Sequence, residues 1–196
     1  MADITLANRI ERYPHSPLET WRPDVAGPIT HIYTHWSAHD YASVFPAYHF
    51  CVATTARGVL VVNTHDVREN MRAVYDRPEL PYAQHTRGRN SHALGIAVMG
   101  MEGAIPSDFG AYPLTEELID GLCVVGARLA AFYDVPIDAE HIMSHAECGV
   151  REGYFGTKPE QRWDIARLVA SDNPLVEQDA LDVGEELRAR MRALLR

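Results

Sequence analysis

A central mixed β-sheet flanked by helices, an α/β fold of the α+β kind, is what this sequence predicts, and three stretches predict it. Residues 29–36 alternate as a strand does, with Ile29, His31, Tyr33 and His35 on one face and Thr30, Ile32, Thr34 and Trp36 on the other. The run Ala93-Leu-Gly-Ile-Ala-Val-Met99 is apolar without interruption, as suits a central strand covered on both faces. From Leu118 the apolar residues Leu122, Val125, Leu129 and Phe132 recur at helical spacing behind Thr115, Glu116 and Glu117, a cap and an acidic first turn. Strands interleaved with helices call for a sheet covered by helices.

The remaining elements follow in order. Residues 1–28 are polar and punctuated by Pro14, Pro17, Pro23 and Pro28, and read as an arm lying over the surface. The β-rich runs Tyr48–Thr54 and Gly58–Asn63, split by Ala56-Arg57-Gly58, predict a hairpin. Residues 66–90 hold charges, Pro78, Pro81 and Gly88, and predict a long connection with one short helix around Val67–Val74; long loops in small domains often carry function. The helix from Thr115 ends near Asp134-Val-Pro136. Ile142–His145 predicts a short strand, 146–162 a loop, and Asp164–Ala170 the opening of a helix. In the last segment, Leu187, Met191, Leu194 and Leu195 form one stripe, acids lead and arginines trail, so an amphipathic helix is expected with Arg188, Arg190, Arg192 and Arg196 on its wet face. The expected division is an arm at 1–28, a domain at 29–172 and a C-terminal helix at 173–196.

Composition narrows the function classes. A chain of 196 residues, 46% hydrophobic, suffices for one well-buried core. With 27 acidic against 18 basic residues the net charge is −9, which argues against a partner nucleic acid or an anionic membrane surface, since both demand a positive face. No stretch approaches the roughly 18 apolar residues of a membrane span, and no apolar signal segment opens the chain. Cytoplasmic synthesis without a signal peptide is the expectation. Cys51, Cys123 and Cys148 form no CxxC pair and predict free thiols. Nothing in the sequence sets the oligomeric state.

The chemistry centres on histidines at element ends. His35 closes a strand before the loop Ser37-Ala-His-Asp-Tyr41, His145 closes a second short apolar segment, and Asp164 follows Trp163. Two imidazoles and one carboxylate suit Zn²⁺ with an open fourth position, although ligands 110 and 19 residues apart carry no local signature. Other readings stand beside this one. His31 suits packing or support of a ligand, and His49 suits a structural place on the opposite face. Cys148 suits a buried thiol or a competing ligand. Trp36 and Trp163 suit packing or a sugar-stacking wall, and Glu147 a solvated charge.

The order Thr34-His-Trp-Ser37, Tyr48-His-Phe50, His85 with Asn90, Leu94-Gly-Ile96 with Gly100, Ser144-His-Ala-Glu147 and Arg162-Trp-Asp164 resembles the zinc-dependent N-acetylmuramoyl-L-alanine amidases, the type 2 group related to T7-lysozyme-like endolysins and peptidoglycan recognition proteins. The resemblance spans roughly residues 29–170. It implies that His35, His145 and Asp164 hold zinc, that Tyr48 lies near the attacking water, and that His85 and Asn90 contact substrate, although those two also suit stabilising the long loop. Arg162 stands where many members have lysine and, because arginine does not give up its proton, implies an electrostatic clamp on a developing oxyanion. The implied reaction is hydrolysis of the amide between N-acetylmuramic acid and L-alanine in peptidoglycan, in the setting of a phage or prophage endolysin acting on the wall after release, with a cytoplasmic enzyme acting on recycled muropeptides or an enzyme injected into competitors as other settings; a non-catalytic peptidoglycan-binding module is the alternative. Some relatives carry a glutamate base after the Gly-Ile pair where this chain has Ala97, which leaves Tyr48 as first candidate for orienting water, with Glu147 or Glu102 behind it.

Overall fold

A computed structural model of the chain describes residues 4–8, 28–156 and 163–196. Its centre is a six-stranded mixed sheet ordered β1-β4-β3-β5-β2-β6, built from β1 (Ile4–Asn8), β2 (His31–Trp36), β3 (Phe50–Thr55), β4 (Gly58–Asn63), β5 (Ala93–Val98) and β6 (Ile142–Ser144). The hairpin β3–β4 is antiparallel; every other neighbouring pair is parallel. Three helices complete the fold: α1 (Glu116–Tyr133), α2 (His145–Arg151) and α3 (Glu177–Leu194). Helix α1 packs across β3, β5 and β2, and α3 packs on α1, α2 and β6.

Each predicted strand forms for the expected reason. β5 is buried at all six positions, as its unbroken apolar run requires of a strand between β3 and β2. In β2 the even residues Ile32 and Trp36 enter the main core with α1, while Tyr33 and His35 turn to the other face, which the long connection covers with His85. Thr115 caps α1 by accepting the Leu118 N–H, and Asp134, left-handed at φ 56°, ends it.

Five features differ from the sequence reading. Residues 4–8 do not lie over the surface; they add an edge strand parallel to β4, while the rest of the expected arm, 1–3 and 9–27, lies outside the described residues. The single helix expected around Val67–Val74 is two short 3₁₀ turns, Val67–Glu69 and Val74–Asp76. The loop expected after His145 starts with α2. Residues 164–170 form turns and not a helix, because Ile165 is left-handed (φ 55°) and the Arg167 guanidinium is spent on the carbonyls of Ser171, Asn173 and Pro174 and on Asp179. On α3, Leu187 and Met191 are buried but Leu194 and Leu195 are half exposed; Arg188, expected on the wet face, is buried.

Candidate metal centre

The sheet register assembles the site. β2 and β6 run parallel with Thr34 opposite Ser144, so the next residues, His35 and His145, emerge side by side at the carboxyl ends of adjacent strands. That edge is where open α/β sheets bind ligands. Asp164 reaches them from the turn before α3. Its Oδ2 lies 2.9 Å from His35 Nδ1 and 3.3 Å from His145 Nδ1, and its Oδ1 accepts the Trp36 N–H at 2.7 Å. A backbone bond from Ala146 N–H to the Asp164 carbonyl (2.9 Å) ties the second and third segments together. The three ligand atoms lie within 4.8 Å of one another.

The donor set fits a zinc-like ion. Ligand atoms about 2 Å from a tetrahedral ion stand about 3.3 Å apart, close to what Asp164 Oδ2 already shows toward both imidazoles. Protonation states fit as well. Burial lowers the pKa of His35 against the opposing pull of Asp164, leaving a neutral imidazole. Burial works to raise the Asp164 pKa, but hydrogen bonds from His145 and His35 outweigh it and hold the carboxylate ionised. Ile165, a β-branched residue at positive φ directly after Asp164, is a strained backbone position of the kind concentrated at functional sites.

The centre opens into a cleft of about 1210 Å³. Its lining includes the neighbouring rings of His39, Phe45 and Tyr48, the connection residues Gln84, Arg87 and Arg89, and Glu152 and Tyr154, the last with its ring 6.4 Å from that of His145. Tyr48 is buried, its ring 4.9 Å from that of His35, and its hydroxyl donates to the Trp36 carbonyl at 3.1 Å. Burial first, then the neighbouring Asp164 charge, push its pKa well above the phenol range, so it remains a hydroxyl.

The other residues singled out in the sequence divide. His85 lines the cleft, but its ring is nearly enclosed, lying against Gly95, where an added Cβ would collide with it. Asn90 does not line the cleft: its Oδ1 accepts the Thr86 N–H, its Nδ2 donates to Tyr75, and its carbonyl accepts from Asn70, so the amide shapes the loop. Arg162 lies outside the described residues. His31 sits at the opposite end of β2, bonded to Thr30 and stacked on His141, away from the ligands. His49 holds the Gly95 N–H within the sheet. Cys148 is a buried thiol that accepts from Tyr154, and Trp36 and Trp163 pack edge to face at 4.5 Å. Neither substitute base reaches the cleft: Glu102 does not line it, and Glu147, expected to be solvated, is buried in an ion pair with Arg188. Ala97 lies beside His35 in the register and supplies no carboxylate.

Solved structures similar to this chain include the following two. The Ph2119 endolysin from Thermus scotoductus MAT2119 bacteriophage Ph2119 matches 73% of this chain and 86% of its own at 16% identity and a TM-score of 0.44. The N-acetylmuramoyl-L-alanine amidase LysC from Clostridium intestinale URNW matches 98% of this chain and 99% of its own at 15% identity and a TM-score of 0.46. No family model and no curated protein matches the sequence.

Two contributors were not legible in the sequence. Thr86 Oγ1 stands 3.3 Å from His35 Nε2 and 3.0 Å from His85 Nδ1, so it holds the nitrogen of His35 that faces away from Asp164. Arg89 pairs with Glu152 across the cleft wall and also donates to the Tyr33 hydroxyl. Adjacency to His85 is the only sequence signal Thr86 carries; Arg89 and Glu152, 63 residues apart, carry none.

Proposed function

We propose that this protein is a zinc-dependent peptidoglycan amidase that hydrolyses the bond between N-acetylmuramic acid and L-alanine. One observation carries the reading: two imidazoles and an ionised carboxylate converge at the carboxyl edge of the sheet on a cleft wide enough for a branched substrate. The ordered motifs of the sequence supply the substrate class. His35, His145 and Asp164 would hold the ion, which when bound lowers the pKa of water and polarises a carbonyl.

The chain's own groups do the rest. Asp164 keeps its charge through hydrogen bonds to both imidazoles and to the Trp36 N–H, and so keeps the three ligands together. With an ion bound, His35 would shift its proton from Nδ1 to Nε2, where Thr86 Oγ1 stands ready to accept it, and Nδ1 would become the ligand nitrogen. Tyr48, a neutral hydroxyl beside His35, offers lone pairs that orient an attacking water but takes no proton from it. Arg162, two residues before Asp164 in the chain, is proposed as the fixed cation that stabilises negative charge on the carbonyl oxygen. His85 contributes a neutral, buried wall to the substrate cleft. A phage-type endolysin, acting on the wall after release, is the setting that fits this activity; among the described residues no helix is long and apolar enough to cross a membrane.

Digestion of purified peptidoglycan followed by mass spectrometry of the products tests the reading. Wild-type protein should release intact stem peptides with free L-alanine amino termini, and a zinc chelator, His35→Ala or Asp164→Ala should each abolish the release. Sedimentation with cell wall but no release of peptides would instead establish a binding module.

A further inference from the structure

The turn from β6 into α2 delivers His145, and one side chain from the far end of the sequence holds both sides of that turn. Arg188 Nη1 on α3 donates to the Ile142 carbonyl at 2.8 Å and to Glu147 Oε2 at 2.7 Å. Ile142 stands three residues before His145 and Glu147 two after it. The Arg188 and Glu147 side chains are 3% and 1% exposed, so this is a buried pair and not a surface contact. It is also fitted: Gly184 leaves space for the Glu147 carboxylate, which any Cβ at that position would strike.

Three physical points give the clamp its meaning. Helix α2 has seven residues, too few to be stable on its own, so its direction is set by what it is tied to. Its amino end is tied by Ser144 Oγ accepting the Glu147 N–H and by Ala146 N–H reaching the Asp164 carbonyl. Arg188 supplies a further tie, from α3. A buried ion pair is seldom more stabilising than apolar residues of equal volume, so geometry is what this one contributes. Arginine suits the task because its planar guanidinium fixes the directions of the two Nη1 hydrogens, toward the Ile142 carbonyl and the Glu147 carboxylate, while Nε is held by Glu185; a lysine ammonium is shorter and has no such fixed orientation.

We propose that Arg188 is a positioning residue for the metal centre: by gripping Ile142 and Glu147 it fixes the turn that aims His145 at Asp164, making the C-terminal helix a working part of the site. This rests on the reading of His35, His145 and Asp164 as metal ligands. Ligand side chains must be held within about 0.5 Å of productive geometry, and outer partners of ligands typically change metal affinity by about 10–100-fold.

The test uses the full chain and zinc alone, with affinity read by competition against a chromophoric chelator and geometry read from the visible absorption of the Co²⁺-loaded protein. Arg188→Lys, and the charge-removing double variant Glu147→Gln/Arg188→Met, should keep wild-type circular dichroism and cooperative melting yet bind zinc at least about 10-fold more weakly, with an altered Co²⁺ spectrum. Glu185→Gln removes the charge of an exposed residue that pairs with Arg188 and Arg192, leaves the Ile142 and Glu147 contacts in place, and should leave affinity unchanged. Folded variants with wild-type affinity and spectrum would overturn the proposal while leaving the metal reading intact. Should the double variant fail to fold, Arg188→Lys decides alone. A wild-type protein that binds no zinc overturns both.

Discussion

Thr86 shows how one hydroxyl can set the chemistry of a site it does not enter. An imidazole presents two nitrogens, and the one that is hydrogen-bonded away from the ligand position fixes which lone pair is offered. Thr86→Val keeps the shape, removes the acceptor for His35 Nε2, and is expected to weaken zinc binding about 10–100-fold, with Thr86→Ser restoring most of it; chelator competition measures both. A second residue-scale expectation concerns acid. Burial, and then the neighbouring His65, hold the pKa of His49 well below 6.5, and its Nδ1 accepts the Gly95 N–H, so the folded protein keeps it neutral. The unfolded chain takes up that proton first as pH falls. The stability contribution is therefore complete above about pH 6.5 and declines below it by up to about 1.4 kcal/mol per pH unit for each proton so excluded. Urea titrations of the metal-free protein between pH 7 and 5 should show that decline, and His49→Asn should make it shallower. An unchanged slope in the variant would remove His49 from the explanation.

At the scale of elements, legibility followed the range of the information. α1 was readable because cap, acidic first turn and apolar spacing all lie within the helix itself. α2 had a local signal too, the capping pattern Ser144-His-Ala-Glu147, but those same residues read as a ligand motif and hid the helix start. β1 has only five residues among prolines and charges, and what makes it a strand is the open edge of β4, which lies more than 50 residues away. The convergence of His35, His145 and Asp164 was foreseeable from the order of motifs, whereas the Glu147–Arg188 pair was not, since contacts 41 residues apart leave no pattern in either segment. Ile165 went the same way: a left-handed β-branched residue contradicts local preference, and only the surrounding bonds reveal why the helix fails there. Gly95 offers a direct test of element fit. Its missing side chain lets the His85 ring lie flat on β5, so Gly95→Ala should lower stability by about 1–3 kcal/mol through overpacking, read from the denaturant midpoint, and should move the His85 ring resonances in NMR spectra.

For the whole molecule, the decisive feature is how widely the three ligands are spaced along the chain. His35, His145 and Asp164 span most of the sequence, and they meet only when β2, β6 and the turn before α3 are all in place. An unfolded or half-folded chain therefore has no comparable site to offer. Mass action then makes the ion a partner in the folding equilibrium: at 100 times its dissociation constant it should add about 2.7 kcal/mol, which at about 2–4 °C per kcal/mol for a domain of this size raises the melting temperature by about 5–11 °C. Calorimetry with and without zinc measures this, and Asp164→Ala should abolish the shift. With the proposed metal, the same wiring would make loading a test of completed folding, since only chains folded to the end bring the three residues together.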